Sequence, residues 1–281
     1  MVTIAELLAE PLQYEFMLRA LAASVVAAVV CATLSCWLVL IGWSLMGDAV
    51  SHSVLPGVAL AAMLGLPFSA GAVVFAFAAV GLISVVRGSG RIRDDTAIGV
   101  VFTTLFALGL VLISVTPSQT DLHQIVFGHL LGTSRADLAQ VAAIGAVVLA
   151  VLVLRRRDLT LFAFDPAHAQ ALDLRPKRLS TLLLVLLALT AVVALQVVGV
   201  VLVVAMLVIP GALARLLTDR FGRMLVIAPT FAVVSTVVGL YVSFYADTAP
   251  GATIVLAQGV VFFVVVAVAP RKHLVARAVS R

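Results

Sequence analysis

Long apolar runs alternate with short polar or Gly/Pro punctuation along most of the chain. A bilayer core of ~30 Å takes about 20 apolar residues of helix. Nine stretches approach that length: Phe16–Ile41, Gly47–Leu66, Phe68–Val86, Thr96–Val115, Leu138–Leu154, Leu179–Val197, Val198–Leu217, Met224–Phe244 and Gly251–Ala269. Helices are expected, because an unpaired backbone group in lipid is costly and the runs lack the alternation of about ten residues that marks barrel strands. The second stretch carries Gly47, Pro56 and Gly57, residues able to break or tilt a short span, so the expected count is eight or nine.

Composition narrows the class. Of 281 residues, 63% are hydrophobic and only 11% charged, with a mean hydropathy of +1.24. A soluble domain of that composition would expose apolar surface to water. The chain reads as an all-α, polytopic integral membrane protein in contact with membrane lipid, forming a single transmembrane domain over residues 1–281.

The basic residues set the expected orientation. They cluster after the third, fifth, seventh and ninth stretches, and of the 18 Lys and Arg residues only Arg19 and Arg135 fall elsewhere. If nine helices alternate, those clusters share the cytoplasmic side, the C-terminus is cytoplasmic and the N-terminus lies outside. Residues 1–15 carry Glu6, Glu10 and Glu15 with no Lys or Arg, and Ile4, Leu7, Leu8 and Leu12 recur at helical spacing. They read as an amphipathic lead-in at the interface, and not as a signal peptide, which begins with positive charge. The same bias explains the net charge of +5 without a nucleic-acid partner. Cys31 and Cys36, five apart in the first span, read as packing residues.

The longest cytoplasmic segment, 155–178, contains Phe164-Asp-Pro-Ala-His-Ala-Gln-Ala-Leu-Asp-Leu174. Asp165 is an N-cap acid, Pro166 suits the first helical position, Ala-rich helix formers follow, and Pro176 stops the run. This predicts a two-turn helix outside the membrane over about 165–174, either a connector or a unit whose Ala167, Ala169 and Ala171 dock on another protein. No Gly-x-x-x-x-Gly-Lys-Ser/Thr phosphate loop is present, so any nucleotide energy must come from a partner.

Against this background Asp48 and His52 stand out. They lie one helical turn apart inside an apolar stretch, where an ionised carboxylate costs roughly 2.5–3.5 kcal/mol on insertion scales. Residues four apart share a face, so both can reach one ion. Two donors are too few for a divalent metal, but two copies about a symmetry axis would supply two Asp and two His, a set suited to Mn²⁺, Zn²⁺ or Fe²⁺. The plain alternative is a helix cap and a histidine bonded within the bundle. Gly47 before the pair and Pro56-Gly57 after it suit a broken helix lining a cavity.

Ser44-Leu-Met-Gly-Asp-Ala-Val-Ser-His-Ser-Val-Leu-Pro-Gly-Val-Ala59 closely resembles the signature of permease subunits of manganese/zinc/iron ABC importers. The likeness continues through Asp95–Leu110, Thr120–Leu131, Val204–Gly211 and Ala249–Leu256, and so covers almost the whole chain. The resemblance implies a type II ABC importer-like permease of a prokaryotic cytoplasmic membrane, acting as a homodimer or a pair of like permeases. It further implies two cytoplasmic ATP-binding subunits, an extracytoplasmic metal-binding protein, and no permanently bound cofactor beyond the transported metal. Catalysis would be absent from this chain, with ATP hydrolysed in the separate subunits. Asp48 and His52 fall on the family's metal-coordinating positions. The helix with Asp165, Pro166, Ala167, Ala169, Ala171 and Leu172 falls on the coupling helix that docks on the ATPase.

Two departures matter. Members of that family often carry a basic pair just before the Ser-Leu-Met-Gly run, where this chain has Ile41-Gly42-Trp43, so an anchor at the inner end of the first span is expected to be lost. Many manganese-type members show a His where this chain has Gln124, with His123 and His129 at neighbouring positions instead. On the outer side Asp121 reads as a cap or a first contact for the ion, Asp247 as turn chemistry, and Gln196 as a helix-to-helix hydrogen bond or a pathway residue. The rival functions are a permease for metal chelates of the siderophore or cobalamin type, a stand-alone secondary carrier, and a membrane-embedded enzyme. A chelate route would not require a carboxylate–imidazole pair; a secondary carrier usually shows inverted repeats, which are not seen here; an enzyme would want a second intramembrane acid or nucleophile.

Overall fold

A computed structural model of the chain describes residues 9–66, 68–88, 93–115 and 130–268. At its centre stands α1 (Glu15–Ile41), apolar on every side, as expected for a helix surrounded by others. Ala20, Ala23, Ala27 and Ala28 are buried along it, and such small side chains let neighbouring backbones come close, which is how helices associate where lipid removes the hydrophobic drive. Gly42, at φ +87°, closes α1 in the left-handed conformation, its N–H returning to the Leu38 carbonyl.

Around α1 lie α2 (Ser44–Ser53), α3 (Leu55–Leu64), α4 (Phe68–Gly88), α5 (Asp94–Val115), α6 (Arg135–Leu154), α7 (Arg156–Phe164), α8 (Pro166–Ala171), α9 (Pro176–Leu217), α10 (Phe221–Ala246) and α11 (Pro250–Val268). Eight helices among the described residues are long and apolar enough to cross a membrane, α2 and α3 counting together as Ser44–Leu64, while Leu202–Leu217 is a shorter apolar helix. The second span is broken as its Pro and Gly suggested, but after Val54 and not at Gly47. Pro56 has no N–H to continue the ladder there. Gly47 sits inside α2, where a Cβ would come within 3.0 Å of the Leu207 side chain.

The sixth and seventh expected stretches are two helical arms that meet at Gly199 without an intervening loop and are labelled together as α9. Pro176 is its first residue and not merely a stop for the preceding helix. Thr190 and Ala194 lie opposite Ala27 and Val30 in the middle of α1, whereas Gly211 abuts Ser35 farther along it and Phe221, just past the end of α9, meets Trp37. The second arm therefore runs back the way the first came, and Gly199 makes the reversal at φ +79°, ψ +164°. That region is essentially closed to residues with a Cβ and costs about 1–3 kcal/mol when one is forced into it. Gly199→Val is accordingly expected to lower the thermal stability of the purified permease, and an unchanged melting temperature would show that the turn tolerates a side chain.

The two ends of the bundle differ in charge. At one end Arg135 donates to Glu15 at 2.7 Å and Tyr245 to Glu10 at 3.3 Å. At the other end lie Arg87, Arg155–Arg157 and the arginines flanking α9 and α10, the asymmetry that the spacing of basic residues predicted. There the Arg87 guanidinium stands 4.9 Å over the ring of buried Trp43. The Trp that replaces the basic pair thus supplies an anchor of its own, a cation–π contact to the fourth helix.

Between α6 and α8 the basic linker is itself a helix, α7, which the sequence reading left as loop. It buries Leu159 and Phe162 and pairs Arg155 with Asp158 at 3.1 Å.

Candidate metal pathway

Asp48 and His52 are brought together by α2. Nδ1 of His52 lies 3.1 Å from Asp48 Oδ1 and 3.0 Å from the Asp48 carbonyl oxygen. Both partners are acceptors, so Nδ1 carries the hydrogen in the arrangement that satisfies all three atoms. In the neutral imidazole that leaves the Nε2 lone pair to ligate, oriented by the other ring nitrogen as metal-binding histidines usually are. Asp48 keeps its second carboxylate oxygen for the same purpose. The helix thus prepares one nitrogen and one oxygen donor on a single face.

Two aromatic rings of α5 hold the imidazole in place: Phe102 and Phe106, four apart, stand with ring centroids 5.4 and 5.6 Å from that of His52, both edge-on at 74°. Sequence reading missed this pair. The signal was present as a one-turn aromatic spacing inside the Asp95–Leu110 motif, but nothing in the sequence said that the fourth span would pack on the second. Next to these rings α5 exposes Thr103 and Thr104, whose hydroxyls bond back to the Gly99 and Val100 carbonyls at 2.8 and 2.7 Å.

The pair is not sealed inside the chain. Side-chain exposure is 35% for Asp48 and 29% for His52, and Leu45, one turn earlier, is 60% exposed. Among the described residues no third His, Cys, Asp or Glu joins them. One chain therefore offers an open half of a coordination sphere, with a divalent transition metal needing about four donors or more.

Elsewhere the structure sorts the candidates. Asp165 Oδ1 accepts from the N–H groups of Ala167 and His168 at 3.0 and 2.9 Å, capping α8. Pro166, Ala167, Ala171 and Leu172 are exposed, but Ala169 is fully buried. The three alanines do not form one outward face, because positions two apart on a helix point in different directions. Asp247 adopts φ +50° as the C-cap of α10, which is the turn chemistry its sequence suggested. Cys31 and Cys36 are buried free thiols. Asp121, His123, Gln124 and His129 lie outside the described residues, as does the side chain of Gln196.

Known proteins resemble this chain along most of its length. The model of the ABC 3 transport family matches residues 13–269. The chain is 47% identical over 270 residues to the manganese transport system membrane protein MntB of Synechocystis sp., covering 96% of this chain and 88% of that one. It is 45% identical over 271 residues to the chelated iron transport system membrane protein YfeC of Yersinia pestis, covering 96% and 92%. Among solved structures, PsaBC from Streptococcus pneumoniae in complex with Fab superposes with a TM-score of 0.86 at 37% identity, covering 96% of this chain and 98% of that one.

Proposed function

The chain belongs to the ABC 3 transport family, and from that premise we propose that it is the permease through which an ATP-driven importer passes divalent transition metal ions, with Asp48 and His52 as the ligands on the route. One observation carries this: a carboxylate and an imidazole, 3.1 Å apart and open on one side, on an otherwise apolar helix of a multi-pass membrane protein. A charge there is costly unless an ion, a partner or water receives it. The names of the relatives point to manganese and iron, and a mixed nitrogen and oxygen donor set suits Mn²⁺, Fe²⁺ and Zn²⁺ alike.

The half-filled coordination sphere calls for a second copy of the permease, whose Asp48 and His52 would complete it across a twofold axis. The concentration of arginines at one end supports a cytoplasmic assignment for that end, with the N-terminus outside. On that face α8 is placed to meet an ATP-binding subunit through Pro166, Ala167, Ala171 and Leu172, with Asp165 holding the helix in shape; Ala169 serves its own chain. An extracytoplasmic metal-binding protein would deliver the ion at the opposite end.

The test is reconstitution of the permease with its ATPase and binding protein in liposomes, with radioactive Mn²⁺ outside and ATP within. Uptake is expected to require ATP, and Leu172→Asp is expected to cut it at least about tenfold by placing a charge in a docking contact. Uptake by the permease alone would make it a secondary carrier. Uptake of a chelate in preference to the bare ion would assign it to the chelate class.

A further inference from the structure

A cleft of ≈630 Å³, lined by neither Asp48 nor His52, opens at the arginine-rich end of the bundle between α7 and the start of α10. We propose that it binds the phosphate of an anionic phospholipid headgroup, with the acyl chains of that lipid lying along α6.

Arg156, Arg157 and Thr160 of α7 form one wall, and Phe221 and Gly222 of α10 face them. Among the described residues neither arginine has a carboxylate within salt-bridge distance, while their neighbour Arg155 is engaged by Asp158 at 3.1 Å. The Thr160 hydroxyl is buried and has no hydrogen-bond partner. The α10 N-terminus opens here without a side-chain cap at Arg220; the Arg220 and Arg223 N–H groups bond to the Thr218 hydroxyl and the Arg220 carbonyl, which leaves those of Phe221 and Gly222 for a ligand at the positive end of the helix dipole. Gly222 lets the two elements close up, since a Cβ on it would stand 3.1 Å from Arg156 Nη2. Two guanidinium groups, a free hydroxyl and unpaired N–H groups are the donors that a phosphate oxygen cluster requires.

The surroundings select a lipid as the carrier of that phosphate. Ala143, Val147, Ala150 and Leu154 are exposed at successive turns of α6, with Leu154 at 82%. The α6 stripe ends at Leu154, directly before the turn at Arg155 into α7, whose exposed Arg157 and Phe164 line the cleft. An acyl chain on the stripe delivers its headgroup to the arginines. α6 packs on α1, α7 and α9, on a flank separate from the α2–α5 face that carries the ion site. Basic pockets at the ends of membrane helices hold anionic headgroups in the same way.

The inference rests on the membrane location alone and not on the transported ion. It is tested by native mass spectrometry of the full chain with phosphatidylglycerol titrated against phosphatidylcholine. In Arg156→Gln/Arg157→Gln, retention of phosphatidylglycerol is expected to fall about 10- to 30-fold, from roughly one unit of surface-charge attraction per arginine, with Lys177→Gln/Arg178→Gln as control. Thr160→Val, which keeps all charges and the side-chain shape, is expected to lower it about threefold or more, from one lost hydrogen bond. Wild-type retention in both test variants would overturn the proposal. Inorganic phosphate binding as tightly as the lipid would reassign the cleft to a free anion. Loss of ATPase association with unchanged lipid retention would make it a protein contact.

Discussion

Asp48→Asn is expected to abolish metal uptake while making the permease more stable. The two effects have one origin. A carboxylate within the apolar span costs roughly 2.5–3.5 kcal/mol, and asparagine keeps the size of the side chain while removing the charge, so the melting temperature of the purified chain should rise. The same change takes an anionic ligand from each half of the site. Partners one shell out from a metal already account for about 10–100-fold in affinity, and a direct ligand belongs at or above the top of that range, so uptake should fall about 100-fold or more. His52→Ala is expected to give a comparable loss of uptake without the gain in stability, because it also removes the ring that Phe102 and Phe106 enclose. Scintillation counting of radioactive Mn²⁺ in liposomes and a thermal melt on the same preparations settle both halves. Wild-type uptake in Asp48→Asn, or a lowered melting temperature, would show that the pair is a structural cap and not a ligand set.

That pair was legible in the sequence for a simple reason: a charge in an apolar run is an anomaly, and helical periodicity alone puts residues four apart on one face. The spans were legible for a similar reason, since bilayer thickness fixes their length. What periodicity does not reveal is which helix lies beside which. Phe102 and Phe106 look like any aromatic pair in a membrane span until α5 is seen against α2. Trp43 looked like a lost anchor until Arg87, more than forty residues later, was found over its ring. The reversal between the sixth and seventh stretches was legible, since one apolar span ends at Val197 and the next begins at Val198, but a single glycine in a Val-rich run carries no mark of the backbone angles by which Gly199 makes the turn. The coupling segment shows the opposite error: three alanines at alternate positions suggested a face that helical geometry does not allow, and burial of Ala169 corrects it.

The crossing of α3 and α4 carries the other large expected effect. Gly57 and Gly71 meet there backbone to backbone, and a Cβ on either would overlap the carbonyl oxygen of the other. Neither clash can be relieved by turning a side chain, because the obstructing atom is main chain. Gly71→Ala must therefore push the helices apart, losing the close packing on which membrane helix pairs depend. Overpacking of this kind typically costs about 1–3 kcal/mol, and more where backbone is displaced. Gly81→Ala in the same helix is the matched control, since a Cβ there meets nothing within 4 Å. Fluorescence-detected gel filtration and thermal melts are expected to show a near-native Gly81→Ala and a strongly destabilised or misassembled Gly71→Ala. The consequence reaches the ion route, because α3 continues directly from α2 through Val54 and any displacement of its crossing with α4 turns the helix that carries Asp48 and His52. A Gly71→Ala permease that survives purification should thus transport poorly with both ligands intact, and full transport by such a variant would show that the site is held by α5 alone.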